Sequence, residues 1–255
     1  MFKRLISNKY LFTELVKRDF KKKYNRAVLG IGWSLLSPLL MLLVMKLVFT
    51  QFFGRTVEHY TTYLFSGLLV FGYFTESSTG GMSSLMQNAD IFTKVNVPKY
   101  LFLLSKNVQT TLNFLLTLCV YFLFCYFDGI RFSWKFVLLV YPICTLFVFN
   151  IGLGLFLSAM FVFFRDMQYL WSVAVRLIMY GSAIFYTTDR FSPQVMRVLH
   201  CNPVFDHIEY VRTIVLQGQV PSLQAHLMLA GFAALAMLVG GVIYKRCNIT
   251  FLYYV

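Results

Sequence analysis

Long apolar stretches separated by short charged segments organise most of this chain. An α-helix needs about 20 residues to cross the hydrocarbon core of a bilayer, and six of these stretches are near or above that length. The fourth is longer than a perpendicular crossing requires and contains Pro142, so we expect it to tilt or kink. The pattern predicts an all-α membrane protein with six transmembrane helices. The predicted spans are residues 31–53, 62–83, 101–127, 136–163, 169–187 and 223–244.

The segment before the first span, residues 10–28, has the pattern of an amphipathic helix. Apolar residues recur there at intervals of three and four, and the basic residues fall largely on the opposite face. A helix of this kind lies in the membrane–water interface, where its basic side chains reach lipid phosphates. The alternative is a disordered basic arm that only sets the topology.

The longest polar segment between two spans covers residues 188–222 and contains three prolines. Its apolar residues still cluster at helical spacing. We expect two short re-entrant helices here, because irregular backbone inside a membrane must be buried in protein or line a cavity. The predicted organisation is one transmembrane domain over 1–255. It comprises an interfacial helix in 1–30, a six-span bundle in 31–244 and a tail in 245–255.

Composition and charge place the chain in a membrane. Of its 255 residues, 58% are hydrophobic and 13% are charged, and the mean hydropathy is +0.67. Soluble domains contain about 25% charged residues, so an ordinary soluble domain is excluded. The net charge is +13, and nine of the 23 lysines and arginines lie in the first 26 positions, beside the first apolar stretch. That position favours a membrane surface over nucleic acid as the partner.

The distribution of lysine and arginine between the spans predicts the orientation of the chain. With the amino terminus inside, the inner segments hold 15 of these residues and the outer segments hold six. Basic residues accumulate in short cytoplasmic segments. We therefore expect both termini in the cytoplasm.

The chain lacks the common sequence patterns of catalytic and metal sites. It contains no phosphate-binding loop of the form G-x-x-x-x-G-K-[ST], no H-E-x-x-H and no G-x-S-x-G. Its five cysteines have no C-x-x-C spacing, and its four histidines are not spaced as metal ligands. We predict that the chain is not an enzyme and holds no metal or cofactor of its own. A helical bundle of this kind is expected to serve transport or assembly.

Four stretches, in a consistent order along the chain, resemble the permease subunits of ATP-binding-cassette (ABC) exporters that move lipid-linked polysaccharides such as O-antigen, capsule and teichoic acid. They are residues 18–24 (RDFKKKY) with 29–33 (LGIGW) and Pro38, 88–98 (NADIFTKVNVP), 164–166 (FRD) with 181–186 (GSAIFY), and Asn202-Pro203 with Arg212. The sequence departs from the family pattern at three positions. Ala27 stands where the family often has Ser, and Ala183 and Thr187 stand where it often has Pro.

The resemblance implies a multi-pass protein of the bacterial inner membrane that works as a homodimer. It further implies two copies of a separate ABC ATPase subunit, which binds ATP and Mg²⁺, and a lipid-diphosphate-linked glycan as the substrate. Two alternatives stay open. One is an ABC exporter of a small amphipathic compound such as a drug or antibiotic, and the other is a non-transporting membrane scaffold for glycan assembly.

In such a transporter, force from the ATPase enters through inner segments of the permease. We expect residues 87–98 to form a short helix that presents an apolar plug and flanking charges to a groove of the ATPase. The turn after the fourth span is a second expected contact. The alternatives are a connector and a turn with no partner. The predicted coupling residues are Asp90, Ile91, Phe92, Lys94, Arg165 and Asp166.

Aromatic side chains suit a glycan path, because they stack on sugar rings without requiring one hydroxyl pattern. Charged residues inside spans are also functional candidates. The predicted substrate path on the first and fifth spans consists of Trp33, Lys46, Phe49, Phe53, Trp171, Arg176, Tyr180, Phe185 and Tyr186. The predicted lipid-headgroup contacts are Lys21, Lys23 and Arg26. The alternatives are aromatic packing at the membrane interface, a buried ion pair with Glu76, and general anchoring to anionic lipid.

Overall fold

The computed structural model describes residues 8–24, 30, 32–53, 59–95, 97–189 and 191–254, and this part of the chain contains helices and loops without a β-strand. Two short 3₁₀ segments, Met86–Asn88 and Trp134–Leu139, precede α4 and α6. The α-helices are α1 (Lys9–Tyr24), α2 (Gly32–Phe53), α3 (Tyr60–Ser83), α4 (Ala89–Phe92), α5 (Tyr100–Phe127), α6 (Val140–Phe163), α7 (Met167–Tyr180), α8 (Pro193–Leu199), α9 (Pro203–Val215), α10 (Leu223–Cys247) and α11 (Phe251–Tyr254).

Most of the predicted helices are present. Three of the described helical segments are long and apolar enough to cross a membrane, namely Tyr100–Phe127, Trp134–Phe163 and Leu223–Cys247. Helices α2 and α3 cover the first two predicted spans. The described part of the amphipathic segment forms α1, which confirms a helix there. Pro142 lies in the first turn of α6, where its missing N–H is not needed.

The predicted fifth span is wrong at its carboxyl end. Helix α7 has 14 residues and stops at Tyr180, whereas the apolar pattern predicts a helix to 187. Gly181 follows, and Ala183 adopts a left-handed backbone with φ of 46°, which an L-residue rarely takes. The helix therefore ends here without the prolines that the related family often has at 183 and 187.

Pairs of glycines set the closest helix crossings. Gly152 on α6 faces Gly240 on α10 so closely that a Cβ on Gly240 would collide with the Gly152 carbonyl group. On the other side of α6, a Cβ added to Gly81 of α3 would lie 3.3 Å from the Cα of Gly154. Small residues let helix backbones approach within a membrane, where dispersion replaces the hydrophobic effect as the attraction between helices. Helix α6 is therefore the centre of the bundle, between α3 and α10.

The bundle has two opposite ends. The α1 end carries α1, α4 and α11, which share one buried apolar cluster with α5 and α6. The α9 end carries α8 and α9, and most of α9 is buried against α3, α6 and α10. Two short helices are thus confirmed between α7 and α10. Each begins with proline in its first turn after a capping side chain, because Ser192 accepts from the Val195 N–H and Asn202 accepts from the Val204 N–H.

Candidate coupling and translocation surfaces

The predicted apolar plug on α4 belongs to the chain's own core. Phe92 is only 5% exposed and packs in the cluster that contains Leu101 and Phe102. The prediction that Phe92 faces a partner is therefore wrong. Spacing alone does not show whether an apolar side chain in a short connector turns inward or outward. The exposed part of this segment is mostly polar, with Asp90 and Lys94 at the surface, Ile91 half-buried and Val95 as its exposed apolar residue.

A polar network joins α1 to the turn that precedes α4. Arg18 donates from Nη2 to Oδ1 of Asn88 at 2.7 Å and to Oδ1 of its neighbour Asp19 at 2.7 Å. Asp19 in turn accepts from the Ser105 hydroxyl on α5 at 3.2 Å. Asn88 also donates to the Ser84 carbonyl at 2.7 Å. A displacement of the 86–95 segment would consequently move α1.

The carboxyl-terminal helix α11 packs against the same segment. Phe251 is fully buried, and the Lys99 ammonium lies 5.6 Å from the ring centres of both Phe251 and Phe92. Lys99 also donates to the Asn248 carbonyl at 2.7 Å. Burial lowers the pKa of Lys99. The α1 end is thus a single packed unit made from both ends of the chain and the segment that carries Asp90 and Lys94.

The second predicted contact is exposed. Arg165 and Asp166 lie at the surface in the turn between α6 and α7, beside the exposed ring of Phe164. The Asp166 carbonyl accepts from the Tyr169 N–H at 2.9 Å, which starts α7. This turn therefore sets the beginning of α7.

A cleft lined by both apolar and polar side chains separates α2 from α3 and α5. Asn113 donates to Glu76 at 3.1 Å, and the hydroxyls of Tyr73 and Thr111 are 2.8 Å apart. Trp33, a predicted path residue, lines this cleft, which has a volume of about 350 Å³. Glu76 also borders a second cavity of about 580 Å³ at the α1 end, whose basic lining residues are Arg18, Lys22 and Lys106.

Helix α7 presents one uncovered face. Tyr169, Arg176 and Tyr180 share that face and are exposed, whereas Trp171 packs on the ring of Phe74 with the ring centres 6.0 Å apart. Trp171 thus serves packing in the single chain, and the other three are available to a second surface.

The end of the predicted fifth span folds back into the bundle. Phe185 is buried, and its carbonyl accepts from the Tyr60 hydroxyl at 2.9 Å. The Tyr186 hydroxyl donates to the Tyr180 carbonyl at 2.6 Å. Tyr180 is thus exposed at the end of α7. The prediction that the Phe185 side chain lines a substrate path is wrong, because the chain turns Phe185 into the core after Tyr180.

Arg212 of α9 stabilises the non-helical backbone of residues 181–186, the break after α7. The sequence pattern did not reveal this role. Its guanidinium is 2% exposed, donates to the carbonyls of Ala183 at 2.9 Å and Ile184 at 3.3 Å, and lies 3.5 Å from the ring centre of Tyr63. A Cβ on Gly67 would come within 3.1 Å of this group. The available signal was a single arginine among apolar residues at helical spacing.

The remaining predicted residues are only partly described. Lys21 and Lys46 are exposed on α1 and α2. Lys23, Phe49 and Phe53 lie in these helices, but their side chains are outside the described part of the structure, as is all of Arg26.

Comparison with known proteins identifies the family. Residues 10–216 match the ABC-2 type transporter family. The O-antigen export system permease protein RfbA of Klebsiella pneumoniae is 28% identical over 214 residues, which cover 82% of each chain. The protein of the same name from Myxococcus xanthus is 27% identical over 229 residues, covering 89% of this chain and 88% of the relative. The polysialic acid transport protein KpsM of Escherichia coli is 22% identical over 234 residues, covering 91% of each chain. The match begins in α1 and ends just after α9, so it includes residues 86–95 and the end of α7. The chain belongs to the ABC-2 type transporter family.

Proposed function

We propose that this chain is the membrane subunit of an ATP-driven exporter that moves lipid-linked polysaccharide across the bacterial inner membrane. The observation that carries the proposal is the similarity, over 82% or more of this chain, to relatives named for O-antigen export and polysialic acid transport. In this arrangement the chain crosses the membrane six times, with α7 as a short fifth crossing. Both termini lie in the cytoplasm, as the excess of basic residues on the α1 side indicates.

Two copies of the chain would form the passage. Helix α2 exposes Leu40, Leu43 and Leu47, and α7 exposes Tyr169 and Tyr180. Exposed faces on a membrane helix contact lipid, a second helix or a pore, and polar or charged groups favour the last two. Lys46 and Arg176 lie on these same two helices, so a pore between two copies would place them along an anionic substrate. Lys21, Lys23 and Arg26 would then meet the lipid diphosphate at the inner surface.

The energy would come from a separate ABC ATPase at the α1 end, which would hold the ATP and Mg²⁺. Asp90, Lys94, Arg165 and Asp166 are exposed there, on the segments that continue into α5 and α7. A displacement of Asp90 and Lys94 would be transmitted to α1 through the hydrogen bond between Asn88 and Arg18. It would be transmitted to α5 through the packed Phe92 ring. The coupling role thus rests on the charges of this segment, with Phe92 as the internal connection.

Exchange of the two charges on the coupling segment tests the docking role. In the double variant D90K/K94E, which keeps the net charge, we expect the amount of ATPase that copurifies to fall at least about tenfold, since opposed charges at an interface become like charges. Pull-down from detergent extracts measures this. The matched control is E14K/K17E, which exchanges an exposed ion pair of 2.9 Å on α1 and should leave the ATPase bound. Equal ATPase recovery from both variants would reject docking at Asp90 and Lys94.

Export in cells tests the proposed function. A strain without the chain should accumulate lipid-linked glycan inside and lose it from the surface, and the wild-type chain should restore it. The variant Y180A should restore export at no more than about a third of the wild-type rate, because a sugar-stacking face is lost. Y126A is the control, since Tyr126 on α5 is 69% exposed, close to the 64% of Tyr180. Normal surface glycan in the deletion strain would instead favour export of a small amphipathic compound. Loss of surface glycan without accumulation of lipid-linked glycan inside would favour a scaffold for glycan assembly.

A further inference from the structure

A cavity at the α9 end lies between α9 and the beginning of α10. Its volume is about 760 Å³, within the range of sites that hold small molecules, about 300–1,000 Å³. Asp206, Glu209 and Thr213 line it from α9, at the three- and four-residue spacing that places them on one face. Gln224 lines it from α10 and Arg197 from α8. These five side chains offer both acceptors and donors to a ligand.

One wall of the cavity contains a buried carboxylate that is only half satisfied. Asp206 is 6% exposed, and its Oδ1 lies 2.5 Å from Nδ1 of His200. Its Oδ2 is buried and has no hydrogen-bond partner among the described residues. A buried polar atom without a partner is costly, so its presence indicates a bound water, an ion or a functional site. Asp206 therefore points to a polar ligand in this cavity.

The floor of the cavity is apolar. It is formed by Val220 and Pro221 of the loop before α10 and by Met228 and Leu229 of α10 itself. A ligand that fits must present C–H groups to this floor and hydroxyl groups to the carboxylates on α9. Sugar rings have both surfaces. Asp206 is paired with His200, and the remaining charged lining residues are Glu209 and Arg197, so the cavity has no excess positive charge to attract a phosphate or an acidic headgroup.

We propose that this cavity binds a neutral segment of saccharide, with Glu209 and Asp206 accepting hydrogen bonds from sugar hydroxyls. The proposal rests on the proposed function, in which the α9 end faces outwards and the glycan emerges there. Charge-assisted hydrogen bonds to hydroxyls give orientation without a deep pocket. The site would hold the emerging chain beside α9 and limit its return into the passage.

Saccharide binding to the full-length chain in lipid nanodiscs tests this site. The probes are mannotriose, chitotriose and a rhamnose trisaccharide, and phosphoethanolamine represents a lipid headgroup. Saturation-transfer difference NMR measures binding of each probe. We expect transfer to at least one trisaccharide and none to phosphoethanolamine. E209Q should weaken binding at least about tenfold, because a charged acceptor is lost. D189N is the control, since Asp189 is an exposed carboxylate of the same segment outside the cavity wall. T213V provides a second, uncharged variant, and it should also weaken binding.

The outcomes separate this inference from the proposed function. Absence of transfer to all three trisaccharides, equal binding by wild type and E209Q, or binding of phosphoethanolamine alone would each overturn the saccharide site. Surface glycan measured in cells reports on export independently. If the wild-type chain restores export while E209Q neither binds less nor exports less, the inference fails and the function stands. If E209Q and T213V lose binding but the deletion strain exports normally, the function fails and the site stands.

Discussion

The variant G240V will fail to accumulate as folded protein, whereas G241V, one residue further along α10, will behave as wild type. A Cβ on Gly240 would occupy the position of the Gly152 carbonyl group on α6. The obstacle is backbone, which cannot rotate away as a side chain can, so α6 and α10 must separate over most of their contact. We expect a loss of at least about 3 kcal/mol, at or above the upper end for overpacking.

Gly241 is a closely matched control for this variant. A Cβ added there meets nothing within 4 Å, and the change in helix propensity is the same at both positions. Fluorescence-detected size-exclusion chromatography of detergent extracts measures the amount of monodisperse protein. Similar peaks for the two variants would show that the crossing at Gly152 and Gly240 does not hold the bundle together.

The variant R212M will keep most of the side-chain volume but destabilise the conformation of residues 181–186 after α7. The guanidinium of Arg212 donates to the backbone carbonyls of Tyr63, Ala183 and Ile184 and to the hydroxyl of Ser66. Methionine removes all four of these hydrogen bonds. The carbonyls of Tyr63 and Ala183 keep the hydroxyls of Ser66 and Tyr63 as donors, but the buried Ile184 carbonyl loses its Arg212 donor, and a buried orphan costs about 1–3 kcal/mol. We expect the melting temperature of the purified chain to fall by about 5–10 °C.

A second arginine, Arg131, provides the control for R212M. Arg131 is exposed in the loop after α5 and is expected to tolerate methionine without a change in melting temperature. R212K should resemble R212M more than wild type, because a single ammonium cannot reach several carbonyls in the fixed geometry of a guanidinium. If R212M melts like R131M, the conformation of residues 181–186 is set by something other than Arg212.

The hydropathy pattern predicted the long apolar helices suited to the membrane and the amphipathic helix suited to its surface. It placed α5, α6 and α10 to within a few residues, because each must satisfy its own backbone over the thickness of a bilayer. The amphipathic spacing likewise predicted α1. These helices can be predicted from the sequence because each lies in one environment, the membrane or its surface, along its whole length.

The details that failed depend on contacts between distant residues. The backbone after α7 is held by Arg212, more than thirty positions away in the sequence, so Gly181 alone does not show where the helix ends. The inward direction of Phe92 depends on Leu101, Phe102 and α11. The close crossing of α6 and α10 depends on Gly240 and its partner Gly152, which are far apart in the sequence, so only the structure shows that they meet.

Translocation in a defined system tests the central claim, that the chain is a conduit driven by a separate ATPase. The purified chain is placed in liposomes with or without its cognate ABC ATPase, and movement of a fluorescent lipid-linked glycan is followed with and without ATP. We predict translocation only when the ATPase and ATP are both present. Glycan transfer at the same rate by liposomes that contain this chain alone, with no nucleotide, would contradict the account.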